Sequence, residues 1–168
     1  MRLLEAMARL VGSKGYLATS VAQVIAAARV SRKTFYEYFG DKEACFLEAY
    51  EELTGRLVEG LARVEGPGGA RRTRAQLERY LEALSADPLV ARAFVVEVMG
   101  AGREALRVRE RVNRRFADLV FAHVSGDALV RKAFIGGVND VVTGELLAGR
   151  RRFTRLLPGL LRFVHPSP

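Results

Sequence analysis

The sequence predicts an all-α protein of about nine helices, and three features of its 168 residues support this prediction. Apolar residues recur every three or four positions along almost the whole chain, which is the spacing of one buried helix face. No segment alternates apolar and polar residues over the length of a strand. Capping residues, glycine and proline interrupt the apolar pattern at helix-length intervals.

The first 46 residues predict three short helices and the start of a longer one, with the first helix beginning almost at Met1. The second helix is marked by apolar residues at helical spacing, namely Val21, Val24, Ile25 and Ala28. A break over residues 28–31 follows, in which Ser31 is a suitable N-cap for the third helix. That helix buries Phe35 and Phe39 and exposes two cations and two tyrosines, namely Arg32, Lys33, Tyr36 and Tyr38.

A short helix that exposes cations and tyrosines, braced at an angle by a preceding helix, is typical of a helix-turn-helix motif. Such a helix fits the major groove of DNA, where Arg and Lys reach guanine edges and hydroxyls reach phosphates. The alternative is a helical bundle in which the Tyr and Phe cluster forms only part of the core.

The run from Leu3 to Phe46 also resembles the N-terminal domain of the TetR family of transcriptional regulators. The matching residues are Gly15-Tyr16, Thr19-Ser20-Val21, Ile25-Ala26, Val30-Ser31, Thr34-Phe35-Tyr36, Phe39, Lys42-Glu43 and Phe46. The resemblance implies a DNA-binding domain over 1–46 and an effector-binding and dimerisation domain over 47–168. Many members have glycine where this chain has Arg29, and a left-handed conformation there costs a non-glycine residue about 1 kcal/mol.

The chemistry of the motif and the resemblance together assign eight DNA contacts. Arg32 and Lys33 are the candidates for base edges, because their side chains donate to guanine. The phosphate contacts implied by the resemblance are Thr19, Ser20, Thr34, Tyr36, Tyr38 and Lys42. Lys42 also stands in the first turn of the next helix, whose N-terminus favours a phosphate.

The remaining helices follow from the apolar stripes and the stop signals between them. The predicted spans are 42 to about 64, a helix carrying Leu77 to Leu84, 88 to about 99, 103–124, about 128–148 and 153–164. Asp41 and Asp87 are predicted N-caps, and Pro158 is a possible kink in the last helix. The breaks fall at residues 65–69, at Gly100 and Gly102, at 125–127 and at 149–152. The arginine triplet 150–152 is interpreted as a solvated loop rather than a second DNA contact.

The net charge of +8 does not by itself argue for nucleic acid, because residues 1–55 hold seven Lys or Arg and seven Asp or Glu. The DNA-binding prediction therefore rests on the motif. No apolar run reaches the roughly 20 residues of a membrane span, and residues 1–18 lack a signal-peptide layout. The lone Cys45 excludes an internal disulfide and is interpreted as a buried small hydrophobe rather than a redox residue. We expect a cytoplasmic protein.

Catalysis and metal binding find little support in the sequence. The two histidines, His123 and His165, lack a cysteine or carboxylate at metal-ligand spacing, and no nucleophile elbow or phosphate loop is present. We therefore expect no enzyme activity, no metal and no cofactor.

Glu97 is the one acid inside a long apolar run. It either pairs with a neighbouring arginine or anchors a polar group of a ligand.

The family resemblance implies a homodimer that pairs its last two helices with those of its partner, and a small-molecule effector held by helices 4 to 7. The interface prediction names Gly136, Gly137, Val141, Phe153, Leu156, Leu157, Leu160 and Leu161. The ligand-pocket prediction names Leu57, Leu61, Leu81, Phe94, Glu97, Val98 and Phe116, each of which is equally suited to plain core.

The predicted function is that of a sequence-specific DNA-binding regulator, a repressor released from a near-palindromic operator by the effector. Two alternatives stay open. The C-terminal half could serve dimerisation alone, without any effector, or the chain could be an interaction or carrier bundle that has lost DNA binding.

Overall fold

The computed structural model describes residues 1–64, 69–122 and 127–164, and over these residues it confirms the all-α prediction. Most of the predicted breaks at 65–69 and 125–127, together with His123 and His165, lies outside the described residues. The described part holds nine α-helices and no strand. They are α1 Arg2–Lys14, α2 Val21–Ala28, α3 Arg32–Tyr38, α4 Lys42–Ala62, α5 Ala70–Ala86, α6 Pro88–Val95, α7 Arg103–Val120, α8 Ala128–Leu147 and α9 Leu157–Val164.

The chain divides into two compact units, each with its own core. The first unit comprises Met1–Thr54 and Pro88–Glu110, and the second comprises Gly55–Asp87 and Arg111–Pro168. The segment 1–46 that sequence assigned to DNA binding lies within the first unit. The functional division at residue 46 stays a prediction.

The core of the first unit is built on one face of α1, which buries Leu3, Leu4, Met7, Ala8 and Val11. Helix α1 packs against α6 so closely that a Cβ added to Gly12 would overlap the backbone carbonyl of Leu89. Phe94 of α6 packs its ring 4.8 Å from the ring of Tyr50 and 6.2 Å from that of Phe46, measured between centroids. Glycine at position 12 is therefore required by the close approach of the two helices.

Helix α6 ends earlier than the sequence predicted. The prediction carried it to about Met99, whereas the α-helix stops at Val95 and a 3₁₀ turn follows over Glu97–Gly100. Glu97 forms an ion pair with Arg92, whose Nε lies 3.1 Å from a carboxylate oxygen, as one of the two interpretations of this acid predicted.

The last helix is also preceded by a 3₁₀ turn, Thr154–Leu156. Pro158 lies in the first turn of α9, where its missing N–H costs nothing, so it starts the helix and does not kink it.

The second unit uses polar side chains of α5 to satisfy backbone carbonyls at the ends of other helices. Thr73 donates its hydroxyl to the carbonyl of Val120 at 3.3 Å, and Gln76 donates its amide to the carbonyl of Leu61 at 3.4 Å. Thr73 and Gln76 are both about 1% exposed. The last carbonyls of a helix have no partner within it, so these donors stabilise the C-terminal turns of α7 and α4.

Glu145 of α8 is a buried carboxylate held by two arginines. Arg150 makes two hydrogen bonds to it at 2.9 Å, and Arg155 donates to the same carboxylate. Arg150 lies in a loop and its side chain is half exposed, so the solvated-loop prediction holds for it although its guanidinium binds Glu145. Arg151 and Arg152 are exposed.

Within the residues described, no helix is both long and apolar enough to cross a membrane.

Candidate nucleic-acid interface

The two helices of the motif are each started by a side-chain cap. Ser20 and Gln23 form a capping box, in which the Ser20 hydroxyl accepts from the Gln23 N–H at 3.4 Å and the Gln23 side chain accepts from the Ser20 N–H at 3.1 Å. Ser31 accepts from the Thr34 N–H at 2.9 Å, which confirms it as the N-cap of α3. Between the helices Arg29 is left-handed, with φ 54° and ψ 49°.

Helix α3 has one buried and one exposed face. Phe35 is fully buried and Phe39 is 7% exposed, with their ring centroids 5.5 Å apart. Tyr36 is 46% exposed and Tyr38 is 73% exposed. The buried phenylalanines therefore fix the helix on the unit while its outer face stays available to a partner.

The two cations predicted to read bases lie on that exposed face. The Arg32 guanidinium carbon lies 5.5 Å from the ring centroid of Tyr36, within the range of a cation–π contact. Lys33 lies 3.9 Å from a carboxylate oxygen of Glu37, and both side chains are more than half exposed. Exposed pairs of this kind are weak and screened by salt, so Lys33 remains able to exchange its partner for DNA.

Thr19 differs from the other predicted contacts because its side chain is buried. Only 2% of it is exposed, and its hydroxyl donates to the carbonyl of Gly15 at 2.8 Å. Its neighbour Ser20 is exposed, and Thr34 is half-buried with its hydroxyl 2.9 Å from that of Ser31. Thr19 thus stabilises the turn between α1 and α2 instead of presenting a hydroxyl to a ligand.

Lys42 is anchored to Tyr16, a contact between residues 26 positions apart that sequence reasoning missed. Its ammonium donates to the Tyr16 carbonyl at 3.0 Å and lies 4.2 Å from the centroid of the Tyr16 ring. Burial raises the pKa of Tyr16, and the carboxylates of Glu43 and Asp41 raise it further. Asp41 accepts from the Ala44 N–H at 2.8 Å, which confirms it as the cap of α4.

Residues 3–49, which contain this whole arrangement, match the model of the family described as bacterial regulatory proteins, tetR family. Over these 47 of its 168 residues, the chain has the N-terminal domain of that family. Over 67 residues it is 33% identical to the HTH-type transcriptional regulator HbdR of Aromatoleum sp. (strain CIB). This match covers 36% of the chain and only 29% of that regulator's length.

Two solved structures share the fold over their whole length. The fatty acid degradation regulator FadR from Bacillus halodurans superposes with a TM-score of 0.86 at 18% identity, covering 99% of this chain and 98% of its own. FadR from Bacillus subtilis, solved in complex with stearoyl-CoA, gives 0.84 at 17% identity, covering 100% and 99%. At these identities the likeness establishes the fold alone.

The residues predicted to line an effector pocket fall in both compact units. In the second unit Leu61 and Leu81 are fully buried, Phe116 is 6% exposed and Leu57 is half-buried. In the first unit Val98 is fully buried and Phe94 is 7% exposed. The carboxylate of Glu97 is engaged by Arg92 and lies against Gly15, so the ligand-anchor interpretation of Glu97 loses its support. For the other six residues the pocket stays a prediction.

The predicted dimer interface divides into buried and accessible residues. Phe153 is fully buried with its N–H bonded to the Ser85 hydroxyl at 3.0 Å, and Leu157 is 5% exposed, so both belong to the core of their own unit. An apolar groove of about 450 Å³ lies between α8 and α9. Four of the predicted residues line the groove or stand beside it with exposed surface, namely Gly136, Gly137, Val141 and Leu156. Leu160 lines its floor, and Leu161 is half-buried.

Proposed function

We propose that this chain is a sequence-specific DNA-binding transcriptional regulator that works as a homodimeric repressor. The observation that carries the proposal is the division of α3 into a face fixed by Phe35 and Phe39 and a face that exposes cations and tyrosines. A helix held in this way projects side chains into the major groove while its own position is set by the unit behind it.

The contacts we propose follow from the exposure of each side chain. Arg32 and Lys33 read base edges. Ser20, Thr34, Tyr36 and Tyr38 contact phosphates through their hydroxyls. Lys42 keeps two of its three ammonium donors for a phosphate while the Tyr16 carbonyl holds the third. Thr19 is left out of this set, because its side chain is buried and its hydroxyl already donates to the Gly15 carbonyl.

The first experiment is a fluorescence-anisotropy titration with the DNA upstream of the protein's own gene and with a scrambled duplex, at low and physiological salt. We expect tighter binding to the first DNA that survives the rise in salt. Equal and weak binding to both duplexes that vanishes with salt would show charge attraction alone and would contradict the proposal.

Two substitutions separate base reading from phosphate binding. Arg32→Ala should relax discrimination at one operator position, by about 1–3 kcal/mol. Tyr36→Phe removes only a hydroxyl and should weaken operator and scrambled duplex by the same factor. If Tyr36→Phe instead altered discrimination at a single position, the assignment of Tyr36 to a phosphate would be wrong.

The dimer we propose forms through the groove between α8 and α9. Val141 is 39% exposed and Phe163 is 59% exposed at this groove, and apolar surface of this kind marks protein–protein contacts. Two protomers then place their α3 helices about one DNA turn apart, roughly 34 Å, on a near-palindromic site.

Light scattering after size-exclusion chromatography tests this dimer with a matched pair of variants. Val141→Arg introduces a charge into the groove and should yield a monomer. Leu147→Arg changes an exposed leucine of the same helix that is not among the groove residues, so it should leave the mass unchanged. A dimeric Val141→Arg protein would place the interface elsewhere.

The effector class we propose is a long-chain fatty acyl-CoA. Support comes from the full-length fold likeness to FadR from Bacillus subtilis, which was solved in complex with stearoyl-CoA, and from apolar residues at the predicted pocket positions. An effector that binds the DNA-free state more tightly must release DNA, and DNA must weaken effector binding by the same factor.

Stearoyl-CoA added to the protein–operator complex should lower the anisotropy in a saturable way, while CoA without an acyl chain should not. The Leu57→Arg variant, which places a charge at a half-buried predicted pocket position, should bind operator at the same protein concentration but resist release. Release by CoA alone, or no release by either compound, would reject the acyl-CoA class and favour a regulator without this effector.

A further inference from the structure

A second surface of the first unit carries arginines that the proposed DNA contacts do not use. A groove of about 510 Å³ lies between the N-terminal half of α1 and the C-terminal end of α2. Its floor is apolar, formed by Ala6, Leu10, Ala27 and Ala28, and its rim carries three arginines and one acid, namely Arg2, Arg9, Arg29 and Glu5. All four rim residues are exposed.

The charge of this groove favours an anionic occupant. Three arginines and one glutamate line it, so positive charge predominates around the groove. The surrounding chain has the same sign, because the first 38 residues hold six Lys or Arg and only two Asp or Glu. Guanidinium groups recognise phosphate oxygens through paired hydrogen bonds, so a phosphate-bearing partner fits this rim.

Arg29 is held in a conformation that its side chain disfavours. It is the one non-glycine residue with positive φ in the described part of the chain, at φ 54°. Glycine would fill this position without strain, whereas arginine places a guanidinium at the groove. A disfavoured conformation at an exposed residue is a reason to look for a role of its side chain in binding.

The chain places this groove next to the exposed face of α3. Arg29 stands three residues before Arg32, so their Cα atoms are separated by no more than about 11 Å. Each strand of B-DNA presents a phosphate for every 3.4 Å of helix rise, so about three steps of backbone span that distance. A duplex read by Arg32 therefore has phosphates within reach of Arg29.

We infer that the groove bordered by Arg2, Arg9 and Arg29 binds the DNA sugar-phosphate backbone beside the bases read by α3. This inference rests on the proposed DNA-binding function and adds a second, sequence-independent contact surface to it. Arg29 supplies the contact nearest to α3, and Arg2 extends it along α1. Such contacts raise affinity for all sequences and increase the dependence of binding on salt.

The decisive variant is Arg29→Gly, because it removes the charge and relieves the backbone strain together. We expect its dissociation constant for operator and scrambled duplex to rise by about 3–10-fold, and the slope of log K against log salt to fall by about 0.9. Its thermal midpoint should rise by about 2–4 °C, because glycine adopts positive φ freely. Weaker binding by a more stable protein cannot be attributed to misfolding.

Three further variants complete the experiment. Arg29→Lys keeps the charge and should keep the wild-type salt slope, whereas Arg2→Ala should reduce the slope as Arg29→Gly does. Arg63→Ala removes an exposed arginine outside the groove, which is paired with Glu59, and should leave the slope unchanged. If Arg29→Gly and Arg2→Ala retain the wild-type affinity and slope, the groove does not contact DNA and the inference is overturned.

The result distinguishes this inference from the proposed function. If wild type discriminates its operator and Arg29→Gly behaves identically, only the groove inference fails. If wild type binds both duplexes equally, the regulator proposal fails. The groove contact is then tested by the salt slope on the scrambled duplex alone. A smaller salt slope for Arg29→Gly on that duplex supports the groove contact, and an equal slope overturns it.

Discussion

The hydrogen bonds that start helices α2 to α4 of the first unit are local, whereas those that connect α5 to other parts of the second unit span long sequence distances. In the first unit, the N-terminal turns are capped from close by: Ser20, Ser31 and Asp41 each accept from a backbone N–H three residues further on. In the second unit, Thr73 reaches a carbonyl 47 residues away and Ser85 accepts from an N–H 68 residues away. The capping bonds depend on a few consecutive residues, whereas the bonds of Thr73 and Ser85 form only when distant helices pack together.

This difference in hydrogen bonding affects how each unit responds to a partner or to a substitution. Local caps fix α2 and α3 without occupying the outer face of α3, so cations and hydroxyls there are left for a partner. The long-range bonds of the second unit connect α5 to the ends of α4 and α7, so a shift of α5 changes several helix ends together. We expect the first unit to tolerate surface changes and the second to respond cooperatively.

The largest effect we expect is from Phe35→Ala, which empties a fully buried site beneath the exposed face of α3. Removal of a buried phenylalanine costs about 3–5 kcal/mol of unfolding free energy. Urea unfolding at fixed protomer concentration should reveal this loss, and operator binding should disappear with it.

Tyr38→Ala is the matched control on the same helix, because 73% of Tyr38 is exposed. It should change stability by less than about 0.5 kcal/mol. Equal losses from the two variants would mean that α3 is not anchored through Phe35, and the comparison between a buried and an exposed face would fail.

The next largest effect should come from Glu145→Gln in the second unit. The substitution keeps the shape but removes the charge that Arg150 and Arg155 share. Because both arginines are half exposed, we expect a loss of about 2 kcal/mol in place of the larger cost of a fully buried pair. Glu59→Gln breaks an exposed pair with Arg63 and should cost less than about 0.5 kcal/mol in the same urea titration.

Gly12→Ala tests whether the first unit also depends on a long-range fit. Alanine improves helix propensity by about 1 kcal/mol, but its Cβ would overlap the Leu89 carbonyl, and overpacking costs about 1–3 kcal/mol. The overlapping atoms belong to the backbone and cannot move aside by a rotamer change, so we expect the upper end of this cost and a net loss of about 1.5 kcal/mol. The exposed Gly60 of α4 has open space around its Cβ position. Gly60→Ala should therefore raise the free energy of unfolding, whereas Gly12→Ala lowers it.

The comparison also separates what sequence could predict from what it could not. The caps at Ser31 and Asp41, the buried Phe35 and Phe39 and the exposed tyrosines all follow from local spacing, and the structure confirms them. The early end of α6, the anchoring of Lys42 on Tyr16 and the pairing of Glu145 with Arg150 and Arg155 depend on tertiary neighbours. Thr19 shows that even within the motif the sequence does not predict exposure. A threonine hydroxyl can bind a phosphate, but the side chain of Thr19 is buried.

The smallest effect we expect is from Ser31→Ala, which removes only the local cap of α3. The lost hydrogen bond to the Thr34 N–H should cost about 1 kcal/mol. Ser31→Asp restores an acceptor at the cap and should recover the stability in urea, yet its negative charge beside Arg32 should weaken DNA binding. Stability and DNA affinity would thus move in opposite directions in the aspartate variant. If Ser31→Asp recovered neither, the start of α3 would be set by packing of Phe35 instead of by its cap, and the first unit would resemble the second in depending on long-range contacts.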